Sequence, residues 1–230
     1  MTPSTTYDPA RTYVVQQNPR TGNGNVLVRG NLLLNTDGSF AYAALDSRLR
    51  ELVIRDADAA PFRLADYTLV VVSLLDNQRE MPELQAEFTA FGAGNAPTVW
   101  PPHARKLNIF ALYGLRVSGE AGALMWMPVQ GCVDAADCRQ VQRDLFNFSA
   151  IVDEINSLMA TGHHRVVYYH CINGFNRAGS LTACYLMKHM GRTRIEAMEE
   201  PPPAGALVVE HYWKLPYKTL AEWYAETIGK

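Results

Sequence analysis

The 230-residue sequence predicts an α/β fold, and two features carry that expectation. Residues 67–75 form a short, β-branched apolar run bounded by polar residues, the pattern of a strand buried on both faces of a sheet. Between residues 139 and 189, a long amphipathic helix, a short apolar strand, a loop containing Gly174 and a second helix follow one another. That order is an α/β unit with its loop at the carboxyl end of a parallel strand.

Taken along the chain, residues 1–22 are polar and hold several turn formers, with Asn-Pro and Gly-Asn-Gly breaks, so an arm or loop-rich cap is expected there. Residues 26–34 read as a strand, and residues 41–54 place Leu45, Leu49, Leu52 and Val53 at helical spacing. Residues 1–60 are therefore expected as an N-terminal extension or cap, and residues 61–230 as the main domain. Residues 107–117 and 124–129 are further strands. Between the strands at 67–75 and 107–117, residues 92–106 are rich in Gly and Pro and include Trp100, Pro101 and Pro102, as a surface loop would. From residue 139 to 159, Val141, Leu145, Phe148, Ile151, Val152, Ile155 and Leu158 recur at steps of three and four, which is one buried helix face. Gly162 ends that helix, and residues 165–169 form a strand running into His170 and Cys171. The second helix is expected from about Arg177 to His189.

Composition narrows the class. With 48% hydrophobic residues the chain can bury one substantial core. No run approaches the roughly 18 apolar residues of a membrane helix, and residues 1–20 lack a signal peptide's apolar centre. A soluble cytoplasmic or nuclear protein with no membrane partner is expected. Four cysteines are too few for a disulfide scaffold, which leaves thiols free for chemistry. Cys132 and Cys138 have five residues between them, without the neighbours that four-ligand zinc sites need, so no metal or other cofactor is expected. Net charge is only −2, yet no acid stands between Glu154 and Glu196, where Arg165, Arg177, Lys188, Arg192 and Arg194 lie. That stretch is expected to focus positive potential on a phosphorylated ligand.

The chemistry lies in His170-Cys171-Ile172-Asn173-Gly174-Phe175-Asn176-Arg177-Ala178-Gly179-Ser180. A loop between a strand and a helix N-terminus can curl its amides around an anion without using side chains. Gly174 permits the backbone angles of a tight loop, and Arg177 can grip two phosphate oxygens in a bidentate fork. Cys171 would sit at the bottom of this bowl, where amides, helix dipole and guanidinium favour its thiolate. Such a thiolate can attack phosphorus in line. The cradle formed by Ile172, Asn173, Gly174, Phe175, Asn176 and Arg177 would stabilise the transition state and leave a cysteinyl-phosphate for water to cleave. The spacing of Cys171 and Arg177 is a weak sign alone. Its position between a buried strand and an apolar helix, with His170 before and Gly179 after, makes it specific.

Residues 170–179 resemble the signature loop of the cysteine phosphatase superfamily, which includes tyrosine and dual-specificity phosphatases. The resemblance implies a central, mostly parallel sheet wrapped by helices. Gly174-Phe175-Asn176-Arg177 is similar to the loop of metazoan and viral RNA 5′-triphosphatases, including the triphosphatase domain of mRNA capping enzymes. Downstream, Ile195-Glu196-Ala197-Met198, the prolines at 201–203 and residues 212–224 resemble that branch's short helix, Pro-containing turn and final amphipathic helix. The likeness covers residues 107–228. It implies an RNA 5′-tri- or diphosphate phosphatase, with a dual-specificity or tyrosine protein phosphatase and a phosphate-binding pseudophosphatase as the alternatives. The expected partner is a phosphorylated substrate, either 5′-triphosphate RNA or a phosphoprotein.

Two departures stand out. Where the family has Ser or Thr after the arginine, steadying the thiolate as a leaving group, this chain has Ala178, with Ser180 expected to point elsewhere. Breakdown of the phosphoenzyme is then expected to be slow. The general acid of protein phosphatases is an Asp about thirty residues before the cysteine, and the candidates are Asp137 and Asp134, at 34 and 37 residues. Asp137 fits the spacing better, and each could equally cap the helix that follows. A diphosphate leaving from a triphosphate end is already a weak base and needs no such acid. No lysine among Ile172, Asn173, Phe175 and Asn176 awaits the extra phosphates of a phosphoinositide. His170 is expected to order the loop rather than to transfer protons, while Tyr212, Trp213, Trp223 and Tyr224 are expected in the core.

Overall fold

The computed structural model describes residues 5–17, 24–54, 60–92, 95–96, 112–117, 120–130, 148–199 and 215–230. Among them, β1 (Tyr13–Gln17), β2 (Val26–Asn31), β3 (Thr68–Ser73), β4 (Leu112–Val117), β5 (Glu120–Trp126) and β6 (Arg165–Cys171) form one sheet in the order β1-β2-β6-β3-β5-β4. The four inner strands are mutually parallel, and β1 and β4 close the edges antiparallel. The α/β, mostly parallel architecture read from the sequence is present.

Helices cover both faces, which is why the inner strands read as continuous apolar runs rather than as alternating ones. On β6, Val166 and Tyr168 face α1 (Tyr42–Leu52) and α2 (Met81–Ala90), in a cluster with Leu45, Leu49, Leu84 and Phe88. Val167, Tyr169 and Cys171 face the other cluster, built with α3 (Phe148–Ala160), α4 (Asn176–His189) and α6 (Leu215–Thr227). The short α5 (Arg194–Glu199) adds Ala197 to it. Helix α3 buries Phe148, Ile151, Val152, Ile155 and Met159. At about 1.5–3 kcal/mol per buried side chain, that stripe contributes on the order of 10 kcal/mol before conformational entropy is subtracted, more than helix propensity could supply. Gly162, at φ +69°, follows its end.

Residues 1–60 supply β1, β2 and α1, and β2 pairs with β6 along its whole length, from Val26–Val166 to Asn31–Cys171. The loop-rich arm expected for residues 1–22 therefore fails at Tyr13–Gln17, an edge strand whose single buried residue, Tyr13, leaves a weak alternation to read. The strand expected over 26–34 stops at Asn31, and Leu32, Leu33 and Leu34 leave the sheet but stay buried. Helix α2 was not anticipated. Its second residue is Pro82, a helix-start position, and its buried face includes Glu87, which blurs the apolar stripe. The residues 97–106 of the expected surface loop, residues 139–147 of the long helix, the prolines at 201–203, Tyr212 and Trp213 lie outside the described residues. No helix among the described residues is long and apolar enough to cross a membrane.

Candidate active site

Because β2, β6, β3 and β5 run the same way, their carboxyl ends share one edge of the sheet, with Asn31 beside Cys171 and Ser73 beside both His170 and Trp126. Such an edge is where open α/β sheets place their ligands. Strand β6 ends at Cys171, residues 172–175 turn, and α4 begins at Asn176. Both neighbouring strands grip this turn through backbone: Leu32 donates to the Ile172 carbonyl at 3.3 Å and Leu74 to the His170 carbonyl at 2.9 Å.

Two glycines make the turn possible. Gly174 has φ +74°, and a Cβ there would lie 2.8 Å from the Gly30 carbonyl carbon and oxygen and 3.0 Å from the Asn31 nitrogen. Backbone cannot yield as a flexible side chain can. Gly30 is bare because the Tyr168 hydroxyl crosses it to donate to the Asn31 carbonyl at 2.7 Å; a Cβ would stand 1.9 Å from that hydroxyl. Complete burial pushes the Tyr168 hydroxyl's pKa well above its ordinary value, so it remains a donor. No side chain caps the first turn of α4, whose amides and dipole are thus directed at the space before the turn.

Cys171 and Arg177 are both buried, 3% and 6% exposed. The Arg177 guanidinium donates through Nη1 to the Leu74 carbonyl at 3.0 Å, the Val129 carbonyl at 3.2 Å and Glu80 Oε2 at 2.6 Å, and through Nη2 to Glu80 Oε1. These acceptors follow β3 and β5, so the sheet's carboxyl edge fixes the cation. Burial opposes the charge, but hydrogen bonds and attraction from Glu80 outweigh it, and the guanidinium's pKa stands above its ordinary value. Glu80 also accepts from the Asp76 amide at 2.8 Å, which ties its carboxylate to the turn before α2.

Behind the turn, His170 Nε2 lies 2.7 Å from Glu87 Oε1, both side chains fully buried. The contact is close but its angles are not those of a formed hydrogen bond. The histidine is thereby enclosed at the end of β6, one residue before Cys171. Ser180 points elsewhere, as expected: its hydroxyl donates to the Tyr217 carbonyl of α6 at 2.8 Å. Ala178 is fully buried and brings no hydroxyl. Cys184, also fully buried, has its thiol pKa pushed well up by desolvation, and with no exposure it is a structural residue.

No protein-family model and no curated protein matches the chain. Among solved structures it is similar to PTPMT1 in complex with PI(5)P, at 12% identity over 95% of this chain and 96% of that chain, with a TM-score of 0.46. It is similar also to human DUSP28, at 15% identity, 89% and 90% coverage and a TM-score of 0.41. For Tk-PTP in the active form the values are 14%, 94%, 97% and 0.40.

The structure thus brings Cys171, Ile172, Asn173, Gly174, Phe175, Asn176 and Arg177 into one turn, while Asp134, Asp137, Cys132 and Cys138 lie outside the described residues. The acid-free stretch does not gather its cations there. Lys188 is eleven residues along α4 from Arg177, about 16 Å at 1.5 Å per residue. It pairs with Asp153 at 2.7 Å, and Arg165 folds back onto the Leu158 carbonyl at 2.9 Å. Sequence reasoning missed Glu80, Glu87 and Arg11, the last of which touches the turn from the N-terminal segment. Glu80 stands 97 residues from Arg177, a separation at which only the fold reveals the pair.

Proposed function

We propose that this protein is a cysteine-dependent phosphatase in which Cys171 is the nucleophile and Arg177 the phosphate clamp. The observation that carries the reading is the fixed guanidinium: Glu80, Leu74 and Val129 hold Arg177 in the first turn of α4, six residues past a cysteine that ends the central strand. A dianion seated before the turn would meet the α4 amides and Arg177 together. Sulfur then attacks phosphorus, the S–P bond forms as the P–O bond to the leaving group breaks, and the leaving oxygen departs with the bonding pair. Water next attacks the cysteinyl-phosphate, the S–P bond breaks, and the thiolate and inorganic phosphate are released.

The favoured substrate is a 5′-tri- or diphosphate RNA end. Its support is the Gly174-Phe175-Asn176-Arg177 loop and a leaving group that needs no general acid. A protein phosphatase is the second reading, favoured by one contact. Val129, the acceptor for Arg177, begins the segment that leads to Asp134 and Asp137, so an aspartate from that segment could protonate a tyrosine or serine leaving oxygen. The test is phosphate release, without metal, from γ-labelled triphosphate RNA and from a phosphotyrosine peptide, with Cys171→Ser as control. Cysteine-dependent release from RNA far above peptide supports the first substrate. Release from peptide alone, reduced by Asp137→Asn or Asp134→Asn, moves the assignment to the second, and binding of both without turnover identifies a phosphate-binding pseudophosphatase.

A further inference from the structure

The segment before β1 is strapped against the phosphate-binding turn. Asn31, fully buried and opposite Cys171 in the β2–β6 register, engages this strap through both ends of its amide: Nδ2 donates to the Thr6 carbonyl at 2.8 Å, and Oδ1 accepts from the Asp8 amide at 3.0 Å. The Tyr7 amide adds a bond to the Leu34 carbonyl at 2.7 Å. Asp8 then caps the short 3-10 turn Pro9–Arg11 by accepting from the Ala10 amide at 3.0 Å. That turn delivers Arg11 to the loop. Its Nη1 lies 3.2 Å from Asn173 Oδ1 and 3.4 Å from the Asn173 carbonyl oxygen, and the guanidinium carbon is 4.9 Å from the centre of the Phe175 ring. Asp8 Oδ2, 3.2 Å from Nε, aims the head group.

We propose that Arg11 is a positioning residue of the phosphate-binding turn, holding Asn173 and Phe175 on the strap side so that the turn's amides stay directed at an oxyanion above Cys171. This rests on the phosphatase reading. The physical reason is the alternation of peptide dipoles: if one carbonyl of a short turn rotates, its amide rotates with it, and an oxygen turned into the cradle repels a phosphate dianion. Glu80 fixes the turn's far end through Arg177, while Asn173 is the exposed residue in its middle. A guanidinium suits the task. It can serve two acceptors and stack on a ring at once, whereas an ammonium supplies charge without the flat fork.

The test follows alkylation of Cys171 by iodoacetamide, located by mass spectrometry, with increasing inorganic phosphate as protectant, in wild type, Arg11→Ala and Arg11→Lys. The expected result for Arg11→Ala is about three- to tenfold more phosphate for half protection, with the thermal midpoint unchanged within about 2 °C. Arg11→Lys is expected to recover little of that protection. Wild-type and Arg11→Ala profiles that superimpose overturn the proposal while leaving the phosphatase reading standing, and full recovery by Arg11→Lys overturns positioning in favour of charge alone. A wild-type thiol that phosphate does not protect overturns both readings together.

Discussion

The Glu80–Arg177 pair permits the most quantitative prediction. In Glu80→Ala the guanidinium keeps the Leu74 and Val129 carbonyls but loses both carboxylate contacts and its countercharge. Removing one partner of a buried ion pair costs about 3–5 kcal/mol. The Arg177 side chain is 7% exposed and that of Glu80 16%, so the pair is nearly but not wholly dry. With two carbonyls remaining, the lower end applies, about 3 kcal/mol. For a chain of this size that is roughly 6–12 °C in thermal midpoint. Phosphate should return part of the loss, because a dianion before the turn replaces the missing negative charge, so added phosphate should raise the variant's midpoint more than the wild type's. Turnover should fall about a hundredfold or more, since a loosened Arg177 no longer meets the charge that develops at phosphorus. Thermal unfolding with and without phosphate, alongside steady-state phosphate release, measures all three. A variant that unfolds within about 2 °C of wild type and keeps its turnover would refute the claim that Glu80 positions Arg177.

Three further outcomes are expected. Gly174→Ala must adopt φ +74° with its Cβ 2.8 Å from Gly30 backbone, so about 1–2 kcal/mol of left-handed strain and about 1–3 kcal/mol of overpacking should appear in urea unfolding, together with lost phosphate protection of Cys171. Ala178→Ser restores the hydroxyl that the family resemblance places beside the leaving thiolate, so rapid-quench kinetics should show faster breakdown of the phosphoenzyme and a smaller burst. Unchanged breakdown would show that the missing hydroxyl at Ala178 does not limit that step. Glu196 accepts hydrogen bonds from the Thr193 amide at 2.8 Å and from its hydroxyl at 2.9 Å, and these hold its pKa below the ordinary 4.5. A carboxylate depressed in the folded state stabilises above its unfolded pKa, and that contribution is lost as pH falls through the lower folded value. The Thr193 amide resonance should therefore titrate with a midpoint below 4.5 in wild type, and the transition should vanish in Glu196→Gln.

What the sequence made legible was local. Val167, Tyr169 and Cys171 on one face and Val166 and Tyr168 on the other are consecutive residues, and the strand, turn and helix around Cys171 lie within 25 residues, so periodicity and turn chemistry suffice to place them. The helix begins one residue before Arg177, at Asn176, close to the boundary expected. Illegible were the contacts that cross the sheet. Glu80, at the N-cap of α2, reaches Arg177, and Glu87 reaches His170 from within α2, a helix whose own pattern is blurred because one of its buried positions is that same Glu87. A buried acid that interrupts an apolar stripe hides the element that carries it. Tyr13–Gln17 escaped for a related reason: an edge strand with one buried residue shows little alternation, although it stands directly after the strap that brings Arg11 to the loop.

The turn before α4 has too few residues to hold its own shape, and its rigidity comes from what surrounds it. On one side β2 contributes the bare Gly30 backbone against which Gly174 lies and the Leu32 amide that holds Ile172. On the other, the residues after β3 and β5 supply the Leu74 amide for His170 and the Leu74 and Val129 carbonyls for Arg177. From below, the buried His170–Glu87 contact lies behind Cys171, at the residue before it. Each of these partners is backbone in a sheet edge or a side chain that is itself buried, so in the proposed reaction little of it would have to move as charge appears at phosphorus. Electrostatic stabilisation is worth most when the dipoles need not reorganise. Asn173 is the exposed residue of the turn, and there the chain lays a strap fastened by a buried asparagine and closes it with an arginine. A loop that binds anions through backbone amides needs support on every side from which its peptides could rotate, and β2, from the N-terminal sixty residues, provides one such side.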